Sequence, residues 1–141
     1  FTFNHYNYNV LDLEKSMAFY AAALGLKEVR RKEALTQLEA GLSGDGKSDF
    51  TLELTWLRDR KEPYNLGENE FHLAFQAADF DTAHAKHKER AASALKIPKS
   101  GIYFINDPDN YWLEIIPKPN APSATTNIPL CIRTEGDIFC F

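Results

Sequence analysis

Two hydrophobic periods alternate along the first 117 positions, and they do so twice. Residues 1–10 alternate as a strand does, and then Leu13, Met17, Tyr20 and Leu24 recur at helical spacing. Asp12 stands where a helix start wants a side-chain acceptor, and Gly25 where a left-handed residue ends one. Short strands are predicted over 26–30 and 38–42, followed by a Ser43-Gly44-Asp45-Gly46 turn and a strongly apolar strand over 50–56. Residues 58–69, with Pro63, Asn65 and Gly67 among charges, read as a connector.

At Phe71 the pattern begins again. His72 repeats His5, and each is followed seven residues later by an acidic helix cap, Asp12 or Asp79. Leu52-Glu53-Leu54 returns as Leu113-Glu114-Ile115, with His-to-Glu separations of 48 and 42 residues. A duplicated unit of this kind predicts two copies packed about a pseudo-twofold axis. The expected class is α+β: two tandem βαβββ modules, 1–57 and 70–117, joined by a connector over 58–69. Residues 118–141 open with Pro119 and Pro122 among Ser and Thr, fit neither copy, and form a tail.

Strand alternation sorts the side chains by face. Glu53 shares a face with Thr51 and Thr55, opposite Leu52, Leu54 and Trp56; His5 goes with Asn7 and Asn9, and His72 with Ala74 and Gln76. Glu114 lies opposite Leu113 and Ile115. A single strand histidine is usually just a hydrogen-bonded residue. The same His and Glu at matched positions of two copies is different, because a pseudo-twofold would bring two imidazoles and two carboxylates toward one point. Such a set suits Ni²⁺, Co²⁺, Zn²⁺ or Fe²⁺ better than Ca²⁺ or Mg²⁺, and an octahedral ion would keep two positions open for catalysis. His84 and His87, three apart on a Lys-rich helix, read as solvated, and Asp107-Pro108-Asp109-Asn110 reads as a turn.

Composition narrows the partners. The 141 residues, 44% hydrophobic with a net charge of -4, show no basic stripe for nucleic acid, no membrane-length apolar run and no secretory leader. The expected location is therefore cytoplasmic. With only Cys131 and Cys140 present, no disulfide framework or thiolate metal site organises the fold.

The stretches Asn4-His5-Tyr6, Val10-Leu11-Asp12-Leu13-Glu14-Lys15-Ser16, Phe19-Tyr20, Leu52-Glu53-Leu54-Thr55, Phe71-His72-Leu73-Ala74 and Asp107-Pro108-Asp109-Asn110-Tyr111 with Leu113-Glu114 together resemble the vicinal oxygen chelate superfamily, and within it glyoxalase I. The resemblance covers residues 1–117. It implies a curved mixed sheet around a metal site, with one divalent ion (Ni²⁺ or Co²⁺ favoured, Zn²⁺ accommodated) held by His5, Glu53, His72 and Glu114. It implies a lyase that isomerises the hemithioacetal of methylglyoxal and a thiol such as glutathione into an S-2-hydroxyacyl thioester through an enediolate. Glu114 would be the base and Glu53 its counterpart. It further implies a homodimer with sites at the subunit interface. The resemblance leaves two alternatives: an enzyme similar to methylmalonyl-CoA epimerase of the same superfamily, or a metal-free small-molecule (drug) binding protein of the same fold. Asn9 and Leu57 depart from the Arg and Asn that the family usually carries there, which bears on the thiol; Arg58, Arg60 and Lys99 are alternative basic contacts.

Overall fold

The computed structural model describes residues 1–33, 38–89, 95–97, 101–119, 131–133 and 138–140. The first copy runs β1 (His5–Val10), α1 (Leu13–Leu24), β2 (Lys27–Glu33), β3 (Leu38–Gly44) and β4 (Thr51–Leu57). The second runs β5 (His72–Ala77), α2 (Phe80–Glu89), β6 (Leu95–Ile97), β7 (Ile102–Asn106) and β8 (Trp112–Pro117). Their strand orders match: β1-β4-β3-β2 and β5-β8-β7-β6. In each sheet the first strand lies parallel to the last and the other pairs are antiparallel. The α+β reading of two βαβββ modules therefore describes the molecule. In the tail, β9 (Cys131–Arg133) pairs antiparallel with β10 (Ile138–Cys140). Among the described residues no helix is long and apolar enough to cross a membrane.

Local chemistry sets the helix ends. Asp12 is extended (φ −144°) and its carboxylate accepts from the Lys15 N–H at 2.9 Å. Gly25 adopts φ +73°, so that its N–H reaches Ala21 O and the next N–H, of Leu26, reaches Tyr20 O. Asp79 repeats the cap in α2, accepting from both the N–H and the hydroxyl of Thr82.

One apolar core joins the copies. Tyr8, Val10, Leu13, Tyr20, Leu52 and Leu54 from the first pack with Tyr103, Ile105, Leu113 and Ile115 from the second. α1 lies over the Leu52 and Leu54 face of its sheet, so closely that a Cβ on Gly41 would come 2.9 Å from Met17 Sδ. The polar seam is as specific. Asp107 is buried and accepts from the Tyr20 hydroxyl (2.8 Å) and from the N–H groups of Asp109 and Tyr111 (both 2.9 Å). Asp109 accepts from Leu11 N–H and Ser16 Oγ, and the Tyr111 hydroxyl donates to Asn9 O. The sequence reading of residues 107–110 as a turn is right, but the turn also bolts the second copy to β1 and α1.

His87 corrects the sequence reading. It is not solvated: it is only 2% exposed, with Nε2 donating to Ala23 O at 3.0 Å and Nδ1 accepting from the Tyr103 hydroxyl at 2.9 Å. His84 likewise packs on the Tyr103 ring, 4.7 Å between centroids. Lysines on the rest of α2 disguised a face that the end of α1 covers.

Candidate active site

β5 alternates as the sequence predicts, with His72, Ala74 and Gln76 exposed and Leu73, Phe75 and Ala77 partly buried. On β8, Leu113 and Ile115 enter the core and Glu114 points the other way. The register sets Glu114 beside Ala74, two residues along from His72. His72 Nε2 and Glu114 Oε2 lie 3.2 Å apart, with the His72 side chain 40% and the Glu114 side chain 17% exposed. The His72 ring meets the Phe104 edge at 5.5 Å, which steadies its plane.

The first copy repeats this register. His5 pairs with Thr51 and Asn7 with Glu53, so Glu53 again falls two positions along from the histidine. Asn7 accepts from the Thr55 hydroxyl at 2.6 Å, fixing both on the Glu53 face. The His5 Nδ1 lies 2.7 Å from Asn4 Oδ1. A carbonyl oxygen only accepts, so Nδ1 carries the proton and Nε2 keeps its lone pair for a cation. Nothing in the hydrophobic pattern singled out Asn4 for this.

The donor chemistry fits a divalent ion. Bonds of about 2.0–2.2 Å to nitrogen and oxygen place adjacent ligands about 3 Å apart in an octahedral shell, close to the His72–Glu114 separation. The structure brings together His72 with Glu114, and sets His5 and Glu53 on neighbouring strands. Among the described residues it does not gather three or more His, Cys, Asp or Glu into one cluster. Each copy thus presents one His and one Glu on one face of its sheet.

Of the basic residues considered as anion contacts, Arg60 is engaged within the connector. Its Nε and Nη2 donate to Glu62 O and Pro63 O, and its guanidinium lies 4.7 Å from the Tyr64 ring centroid. Lys99 falls outside the described residues. Beside the site, burial pushes the Asp107 carboxyl up to about 6, partly offset by the Tyr20 hydroxyl and the Tyr111 and Asp109 N–H groups. The Tyr20 hydroxyl is driven far above its ordinary value by burial and by Asp107.

Residues 2–115 match the sequence profile of the Glyoxalase/Bleomycin resistance protein/Dioxygenase superfamily. The chain belongs to that superfamily. Among its glyoxalase relatives, a lactoylglutathione lyase of Neisseria meningitidis is 36% identical over 124 residues, which covers 81% of this chain and 88% of the relative. The trypanothione-dependent glyoxalase I of Leishmania major superposes with a TM-score of 0.73 at 26% identity, covering 82% of this chain and 86% of that one. Glyoxalase I from Zea mays superposes equally well, 0.73 at 25% identity, but this chain spans only 46% of it. These relatives make the chain a glyoxalase I-like carbon–sulfur lyase.

Proposed function

We propose that this glyoxalase-family protein isomerises the hemithioacetal of a 2-oxoaldehyde such as methylglyoxal and a thiol into an S-2-hydroxyacyl thioester. The observation that carries the reading is the His72–Glu114 pair at ligand spacing, with His72 exposed and Glu114 partly buried, repeated in register by His5 and Glu53. Those four residues would hold one divalent ion, Ni²⁺ or Co²⁺ before Zn²⁺. When bound, the ion supplies positive charge beside the two adjacent substrate oxygens, raising the acidity of the carbon-bound proton. Glu114 removes that proton from the sulfur-bearing carbon and delivers it to the neighbouring carbon. The hydroxyl proton moves between the oxygens, so one carbon is oxidised as the other is reduced and no external electron carrier is needed. Glu53 holds the matching position on the opposite side. Asn4 orients the His5 ring and Phe104 braces that of His72.

Because each copy presents half a set, the complete site is assembled in a homodimer, the first module of one subunit facing the second module of the other. The thiol half is where the chain departs from the family. The Leishmania relative is described as trypanothione-dependent, and Asn9 and Leu57 differ from the residues the family usually carries.

The test is thioester formation from methylglyoxal and glutathione, read by absorbance, with metal-stripped protein given Ni²⁺, Co²⁺ or Zn²⁺ in turn. Turnover should require metal, and Glu114→Gln should lower kcat by about 10²- to 10⁴-fold with the fold intact. A Glu114→Gln protein with full kcat would remove Glu114 from the role of base.

A further inference from the structure

The chain has two cysteines, Cys131 and Cys140, and both lie beyond the two modules. The backbone places them together. β9 and β10 form a two-stranded antiparallel sheet, separate from the module sheets, in which Cys131 stands opposite Cys140, Ile132 opposite Phe139 and Arg133 opposite Ile138. The cysteine pair is thus the end of the ladder farthest from the connection Thr134-Glu135-Gly136-Asp137, whose length and glycine suit a hairpin. Directly opposed residues of an antiparallel pair have Cα atoms about 4.5 Å apart at a non-hydrogen-bonded position and about 5.5 Å apart at a hydrogen-bonded one. A disulfide needs a Cα separation of about 4.4–6.8 Å. Either kind of position therefore accommodates the bond without moving the strands. An isolated two-stranded hairpin is marginal in water, and a covalent clasp across its open end removes the separated conformations that compete with it.

From this register we infer that Cys131 and Cys140 are a reversible oxidation site, closing into an intramolecular disulfide by exchange with the disulfide of a small thiol. In the first step the thiolate of one cysteine attacks a sulfur of the small disulfide; that S–S bond breaks, one small thiol leaves, and a mixed disulfide remains on the protein. In the second step the thiolate of the other cysteine attacks the protein-bound sulfur and expels the second small thiol. Two cysteine thiols are oxidised, one small disulfide is reduced to two thiols, and the protons given up by the cysteines go to the departing thiolates. The modules contain no cysteine, so each of the pair has the other as its one possible partner within the chain. Held opposite each other, they make the second attack intramolecular and the mixed disulfide short-lived. The pair stays open where small thiols are kept reduced and closes as their disulfide accumulates.

The experiment treats the full reduced chain with glutathione disulfide in the absence of oxygen, quenches with iodoacetamide, and reads the intact mass and the tryptic peptides without reduction. Trypsin cuts after Arg133, so a closed pair leaves residues 100–133 joined to residues 134–141. The expected result is that joined species from a chain of monomeric mass, with glutathione adducts at about a tenth of it or less, and recovery of the reduced mass on adding dithiothreitol. Each single variant, Cys131→Ser or Cys140→Ser, should stop at the mixed disulfide. Moving one thiol by a single position tests the register itself. In a chain carrying Phe139→Cys and Cys140→Ser the cysteines are no longer opposed, and neighbouring strand positions belong to opposite faces, so the ratio of joined to glutathione-bound chain should fall about tenfold. Stable glutathione adducts on both cysteines of the wild type, disulfide bonds between two chains, or an equal ratio in the shifted chain would overturn the site.

Discussion

Replacing Asp107 by asparagine takes a charge out of the seam between the copies while keeping its shape. In the native protein Oδ1 accepts the N–H groups of Asp109 and Tyr111, and Oδ2 accepts the Tyr20 hydroxyl. An asparagine carbonyl can take both N–H groups and its NH₂ can donate to the Tyr20 oxygen, so Asp107→Asn preserves the contacts. Burial raises the Asp107 carboxyl from 3.8 to about 6 in the folded protein. Between those values the folded state binds more protons than the unfolded state, so this group makes stability fall as pH rises from about 4 to about 6 and then level off. At about 1.4 kcal/mol per pH unit, ionising it costs the fold about 3 kcal/mol.

Urea unfolding at pH 4, 5, 6 and 7.5, at one protein concentration, is the assay. Subtracting the Asp107→Asn curve from the wild-type curve removes the other titrating groups. The difference should favour wild type more at pH 4 than at pH 7.5 by up to about 3 kcal/mol. Asp107→Ala is the control: it leaves three donors without their acceptor and should lose at least about 3 kcal/mol at every pH. A wild-type-minus-Asn difference that stays flat with pH, or rises toward neutrality, would refute the argument that Asp107 is held ionised against its burial.

Three further outcomes follow from the same contacts. His87→Ala opens a cavity and strands both the Ala23 carbonyl and the Tyr103 hydroxyl, so thermal melts should show a loss of about 2–4 kcal/mol; a change under 0.5 kcal/mol would mean that the helix end is open to water. Gly41→Val drives a branched side chain into Met17 and should cost about 1–3 kcal/mol, with Met17→Ala in the same chain recovering part of it. If each site draws on two subunits, dimers refolded from equal amounts of inactive His5→Ala and His72→Ala chains should regain about a quarter of wild-type turnover, since half are mixed and each mixed dimer holds one intact site. A mixture that stays inactive would place the whole set within one chain.

Side-chain periodicity was enough to find the repeat, because period 2 and period 3.6 are written directly in which positions are apolar. Asp12, Gly25 and the opposite facing of Glu114 and Leu113 follow from that local grammar, and the structure bears them out. His87 and the polar seam were not legible, for a definite reason. Whether a polar residue on α2 is wet depends on what lies over it, and what lies over it is the end of a helix more than sixty residues away in sequence. The same holds for Asp107, whose partner Tyr20 is 87 positions distant. Periodicity also assigns His5, Glu53, His72 and Glu114 to faces without saying which faces meet. The structure supplies the missing constraint. Tyr20, Asp107, Asp109 and His87 spend the helix side of the first sheet and the core side of the second on holding the two copies together. The faces that carry His5, Glu53, His72 and Glu114 take no part in that contact. If the four residues form one site, a chain locked in this way would complete it by meeting a second chain locked identically, which is the arrangement the mixed-dimer experiment tests.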